Sequence, residues 1–227
     1  MAAALAWARS PRGRIIVQFT LIGLVLIFFV YTLVTGWGEL SKQHLRLDYG
    51  YLALSAIPLI ARPFLSAFGW WQIVYKLGGR LSIARSIHIY FISGLARYLP
   101  GPFLGSIGRA VMAEENGIEG GVAAISVLLE LGLLVASGAL IGLVWVAFTV
   151  GLANITLYLI ILGTGSLIIL EPRAFLTLLN FLLARFGRKP VRLALHLGDM
   201  MQLIAPYLLN WLLNGLTFYL VVNAIFP

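Results

Sequence analysis

The chain has 227 residues, 61% of them hydrophobic and 11% charged, with a mean hydropathy of +0.98. Soluble domains hold roughly 45–50% apolar and about 25% charged residues, so this composition excludes a soluble enzyme, a nucleic-acid binder and a disordered linker, and identifies an integral membrane protein. The 16 Lys and Arg against 8 Asp and Glu leave a net charge of +8, which in a membrane protein reads as basic loops held against anionic lipid.

A bilayer core of about 30 Å takes roughly 20 apolar residues as a helix. The first such run, from Ile15 to about Thr35, is free of charge and follows Arg9, Arg12 and Arg14. It is too long for a signal-peptide core and no A-x-A cleavage site follows it, so it reads as a retained first helix. The second span runs from about Tyr49 to Val74, with Arg62-Pro63 near its centre. The third runs from about Val122 to Phe148 and carries Glu130, the fourth from about Asn154 to Leu170, and the fifth from near Tyr207 to the C-terminus. The positive-inside rule puts the N-terminus in the cytoplasm of a cell-membrane protein. Lys76, Arg80 and Arg85 lie on the same side, as does the basic stretch holding Arg173, Arg185, Arg188, Lys189 and Arg192.

Residues 86–116 are apolar, yet both ends of this segment must be cytoplasmic for the later spans to keep their orientation. Leu99-Pro100-Gly101-Pro102 breaks the helix near the middle, leaving about 13 residues before the break, or roughly 20 Å of helix, too short to cross. The segment therefore reads as a re-entrant pair of half-helices rather than an amphipathic hairpin on the surface, and its turn, tolerated only in protein or beside a cavity, marks a functional centre. Residues 173–200 are too polar to span and read as an interfacial basic helix. The expected fold is thus an all-α, polytopic membrane helix bundle forming a single domain over 1–227.

No catalytic motif is present. His44, His88 and His196 lie far apart and lack metal-ligand spacing, and without cysteine there is no thiolate nucleophile; no cofactor is expected. Glu114-Glu115 reads as a solvated helix end. The informative groups are the ionisable ones in apolar surroundings: Arg62, Arg97, Arg109 and Glu130. A charge in hydrocarbon costs at least about 2.5–3.5 kcal/mol, so each should face the bundle interior and find a partner. One reading is an internal ion pair of Arg97 or Arg109 with Glu130. The other is a cationic pocket for an anionic lipid headgroup, with Glu130 orienting one arginine, since a guanidinium binds two phosphate oxygens at once. With three arginines against one glutamate, both can hold. On that reading loss of Glu130 harms folding, whereas Arg109→Gln spares the fold and weakens lipid binding. The pairs Gly101/Gly105 and Gly138/Gly142 suit close helix packing, and Trp70-Trp71 reads as an interfacial aromatic belt.

Several of these residues also occur in a family pattern: Trp70-Trp71 before Leu77-Gly78-Gly79, then GLARYLPGPFLGSIGR from Gly94 to Arg109, then Gly117-Ile118, then SVLLELGLL from Ser126 to Leu134. From Gly69 to about Leu143 the chain resembles the lysylphosphatidylglycerol synthase transmembrane region, also called the flippase-like membrane family. Arg97, Tyr98, Pro100, Gly101, Gly108, Arg109 and Glu130 stand where the family shows a basic residue, an aromatic, a Pro-Gly turn, a Gly-Arg pair and a helix with L-L-E. With the neighbouring Pro102, Tyr98, Pro100 and Gly101 would form the re-entrant turn. The resemblance implies a lipid flippase-like role, with no room for the aminoacyl-transfer domain that some members carry. Members usually continue through further spans, so the chain is expected to lack the C-terminal part of the family's domain. The expected function is to bind and translocate an anionic lipid, a phospholipid or a polyprenyl-phosphate-linked headgroup. The alternative is a non-catalytic membrane partner of a glycosyltransferase or lipid-modifying enzyme.

Overall fold

The computed structural model describes residues 23, 27–28, 30–32, 34–35, 47–96, 103–150, 156, 159–185 and 195–226. The chain divides into two compact units, residues 1–47 with 225–227, and residues 48–224. In the first unit the described residues 27–28, 30–32 and 34–35 are helical, inside the expected first span. Thr32 and Thr35 donate their hydroxyls to the carbonyls of Phe28 and Tyr31, both at 2.8 Å, which is how a helix hides hydroxyls from an apolar medium.

In the second unit every described element is helical. Helix α1 (Tyr49–Lys76) opens on Asp48, whose carboxylate accepts from the amides of Gly50 and Tyr51, satisfying two of the free donors of the first turn. Helices α2 (Ile83–Leu95) and α3 (Leu104–Glu115) follow, then α4 (Gly120–Val150). A π-helical turn (Leu159–Gly163) runs into α5 (Thr164–Leu170), then come α6 (Pro172–Arg185) and α7 (Leu197–Ile225). Helices α1, α4 and α7 are each long and apolar enough to cross a membrane.

The described parts of residues 86–116 form two short helices, as a re-entrant pair requires. α2 has 13 residues and α3 has 12, neither enough to cross. They cannot be one continuous helix, because Phe103 ahead of α3 sits in the left-handed region at φ 62°, which breaks a right-handed helix. The two pack together near the break: a Cβ on Gly105 would come within 3.0 Å of the Ser93 carbonyl oxygen, so only glycine permits this approach. Away from the break they stay together: Ile89 at the middle of α2 and Ala113 near the end of α3 share a buried cluster with Trp70, Val74, Ile118 and Ala123, and Leu81, just before α2, packs against it. The turn residues Tyr98, Pro100, Gly101 and Pro102 lie outside the described residues.

Three sequence expectations need correction. The interfacial basic helix ends at Arg185 among the described residues, and Leu197–Met200 belong to α7, not to it. α6 is bent by 91° from the helix before it. Glu171 is extended there (ψ 113°), as expected of a residue before proline, and its carboxylate caps the new helix by accepting from the Ala174 amide at 2.5 Å. The last span starts at Leu197 rather than near Tyr207. Its first turns are helical despite Pro206 because Met200, Leu203, Ile204 and Tyr207, spaced along one helical face, are buried together in a core with Ile73, Leu129 and Phe175. Finally, Trp70 is fully buried and does not belong to an interfacial belt. Of the glycine pair on α4, Gly138 meets the Trp211 ring and Gly142 faces open space.

Candidate membrane-embedded polar site

Glu130 lies two to three turns into α4, with its side chain buried in the bundle. It is 5% exposed and Arg109 of α3 is 8% exposed. The two form an ion pair in which an Nη of Arg109 donates to Oε2 of Glu130. The other carboxylate oxygen accepts from the Tyr90 hydroxyl of α2 at 3.0 Å. Tyr90 also lays its ring against the guanidinium, 3.9 Å from its carbon, and Trp70 offers a second ring at 5.7 Å. Trp70 is held in turn by its indole N–H, which donates to Ser126 Oγ at 3.1 Å, and Ser126 donates to the Ala123 carbonyl at 2.7 Å. Four helices thereby converge on one ion pair. Aromatic faces supply attraction to the cation without adding charge, and each charge-assisted hydrogen bond offsets part of the desolvation cost.

On the cavity side of Glu130 lies a partly open cavity of about 430 Å³, lined by Arg62, Ser66, Tyr90, Glu130, Tyr207 and Asn210 together with Leu59, Pro63 and Leu134. Arg62 projects from the middle of α1, where Pro63 cannot contribute a backbone N–H. Its Nε donates to Oδ1 of Asn210 on α7 at 3.2 Å. The Asn210 amide nitrogen donates back to the Arg62 carbonyl at 3.2 Å and to Ser66 Oγ at 2.6 Å. Among the described residues Arg62 has no carboxylate partner. Tyr207, 1% exposed, reaches the cavity through a close crossing of α7 over α1: a Cβ on Gly69 would lie 3.1 Å from the Tyr207 hydroxyl oxygen. That hydroxyl and Nε of Arg109 are buried without a hydrogen-bond partner among the described residues.

Of the residues singled out from sequence, the structure brings Arg109 and Glu130 into contact and places Arg62 with Glu130 on the same cavity wall. Arg97 lies outside the described residues. The internal ion pair is present with Arg109, and among the described residues Arg62 is the arginine that lines the cavity without a carboxylate partner. Sequence reasoning missed Tyr90, Asn210, Tyr207 and Ser66. Asn210 was detectable, because an amide in the middle of an apolar span needs a partner. Tyr90 was not, since a tyrosine in a half-helix is unremarkable until its hydroxyl is seen on a carboxylate.

No curated protein matches the chain, and no solved structure matches it. The family model for the lysylphosphatidylglycerol synthase TM region matches residues 15–226, well beyond the stretch from Gly69 to Leu143 that carries the motif. A multi-pass helical membrane protein matched over nearly its whole length in this way belongs to the lysylphosphatidylglycerol synthase transmembrane-region family.

Proposed function

We propose that the chain binds the anionic headgroup of a membrane lipid in the cavity between α1, α2, α4 and α7 and moves it across the bilayer without chemical conversion. The observation that supports this reading is Arg62. It is a guanidinium midway along a membrane-crossing helix, facing a cavity of mixed polar and apolar lining and lacking a carboxylate among the described residues. A charge so placed costs about 2.5–3.5 kcal/mol or more unless it is neutralised, and the phosphate of a lipid headgroup is the anion that a membrane supplies. Arg109 and Glu130 neutralise each other, so in this reading they hold the cavity wall and leave the excess positive charge at Arg62. The N-terminus and the end of α1 carrying Lys76 face the cytoplasm of a cell membrane, following the positive-inside rule.

The test is headgroup movement in vesicles containing only this protein, read as the rate at which labelled phosphatidylglycerol of the inner leaflet becomes accessible outside. The expected result is acceleration over protein-free vesicles that falls at least about tenfold in Arg62→Gln. Equal rates with and without the protein would overturn the translocation reading.

A further inference from the structure

We infer that Asn210 is a positioning residue for anion recognition: it holds Arg62 so that both terminal guanidinium nitrogens face the cavity as a two-pronged phosphate grip. The inference rests on the anionic-lipid reading above and adds to it the geometry of the subsite and the partner helix that builds it.

An arginine side chain has five N–H donors in a fixed fork. Its Nε–Nη edge and its Nη–Nη edge can each take two oxygens, and a free guanidinium samples both. Here Nε is already committed, donating to Oδ1 of Asn210 at 3.2 Å. What remains is the Nη–Nη edge, for which no described group accepts. Asn210 is itself fixed: its amide nitrogen is shared between the Arg62 carbonyl at 3.2 Å and Ser66 Oγ at 2.6 Å. It is 7% exposed, so these contacts are made away from water and persist. An amide accepts from Nε through its oxygen and donates to both the Arg62 carbonyl and Ser66 through its nitrogen, all without adding charge. A carboxylate at position 210 would also reach Nε, but it would neutralise the cation that the cavity needs.

The subsite then consists of the terminal nitrogens of Arg62 on α1, oriented by Asn210 of α7, with Tyr207, one turn before Asn210, in the same cavity lining. Its ligand class is a phosphate oxyanion, carried by a lipid headgroup.

The full chain in nanodiscs of mixed phosphatidylglycerol and phosphatidylcholine tests this, with the ratio of the two lipids retained by the protein read by native mass spectrometry and thermal unfolding measured in parallel. The parent protein should enrich phosphatidylglycerol. Arg62→Gln should abolish the enrichment, a loss of about tenfold or more, the range for a lost charge-assisted hydrogen bond. Asn210→Asp, nearly identical in shape, should abolish it as well while unfolding within a few degrees of the parent, which a purely structural role would not produce. Asn210→Ala, which adds no charge, should reduce it by about three- to tenfold, and decides the matter if Asn210→Asp does not insert. If Arg62→Gln loses the enrichment while both Asn210 variants keep it, the positioning role is overturned and the anionic-lipid reading stands. If Arg62→Gln keeps it, that reading itself fails. Displacement of the bound lipid by inorganic phosphate would assign the subsite to free phosphate and overturn the lipid assignment.

Discussion

Tyr90 touches Arg109 with its face and Arg109's counter-ion with its hydroxyl: the ring lies 3.9 Å from the guanidinium carbon, and the O–H donates to Oε1 of Glu130 at 3.0 Å. One side chain thus packs on the cation and completes the anion's hydrogen bonding. The ion pair is held in a cage rather than left exposed to the cavity it borders.

That arrangement changes what Arg109→Gln should do. Read from sequence, the substitution spares the fold, but the contact with Glu130 means it leaves a buried carboxylate without its cation. Breaking a buried pair from one side costs about 3–5 kcal/mol, so Arg109→Gln and Glu130→Gln should each lower the unfolding temperature and yield of folded protein in detergent. The double variant Arg109→Met/Glu130→Leu should recover most of that loss, because no charge is then stranded. Equal stability of the single variants and the parent would contradict the pair.

Tyr90→Phe keeps the ring over the guanidinium and removes the hydroxyl. A hydrogen bond to a charged group is worth about 1.5–3 kcal/mol, and the variant should be less stable by that amount. Tyr90→Ala should lose more, since it also removes the cation–π contact and the packing. Chemical or thermal unfolding of the two variants side by side gives the difference.

Gly138 and Gly142 look alike in sequence and should respond oppositely to alanine. A Cβ at Gly138 would lie 2.9 Å from the Trp211 ring, whose indole N–H donates to the Leu134 carbonyl at 3.2 Å. Gly138→Ala must displace that ring and should destabilise by about 1–3 kcal/mol. At Gly142 no atom stands within 4 Å, so Gly142→Ala should be neutral or stabilising by up to about 1 kcal/mol through helix propensity. The contrast is read from unfolding temperatures of the two variants.

Asp199 should matter more than its exposed partner Lys76. The two form an ion pair at 2.5 Å, but exposed pairs contribute about 0–1 kcal/mol. Asp199 also accepts from the His196 amide at 2.9 Å, a capping contact at the start of α7. Lys76→Ala should therefore change stability by less than about 1 kcal/mol, and Asp199→Ala should cost about 1 kcal/mol more through the lost cap. Measuring both at high salt should reduce the ion-pair part and leave the cap.

The proposed orientation is open to direct labelling, because the chain contains no cysteine and a single introduced thiol reports alone. Tyr49 and Arg80 flank α1 at opposite ends. In intact cells an impermeant thiol reagent should label Tyr49→Cys and spare Arg80→Cys until the membrane is permeabilised. The reverse pattern would invert the proposed topology.

The sequence by itself determined that this is a helical membrane protein, because about 20 consecutive apolar residues can satisfy their backbone in lipid in only one way. It also located the break between the two half-helices, since proline and glycine act locally on the backbone, and it picked out Arg62, Arg97, Arg109 and Glu130 as groups whose burial needs a partner, of which all but Arg97 fall among the described residues. Which arginine took the carboxylate was decided only by tertiary structure. Arg62 and Arg109 are equivalent in a hydropathy profile, and only the packing of α3 against α4, with Tyr90 and Trp70 closing over the pair, commits Arg109 to Glu130. Asn210 joins Arg62 across 148 positions of sequence, a contact that no local pattern encodes. The start of α7 at Leu197 was hidden for a similar reason: Pro206 reads as a break when taken alone, and the buried face from Met200 to Tyr207 outweighs it once α1, α4 and α6 supply the surface to pack against.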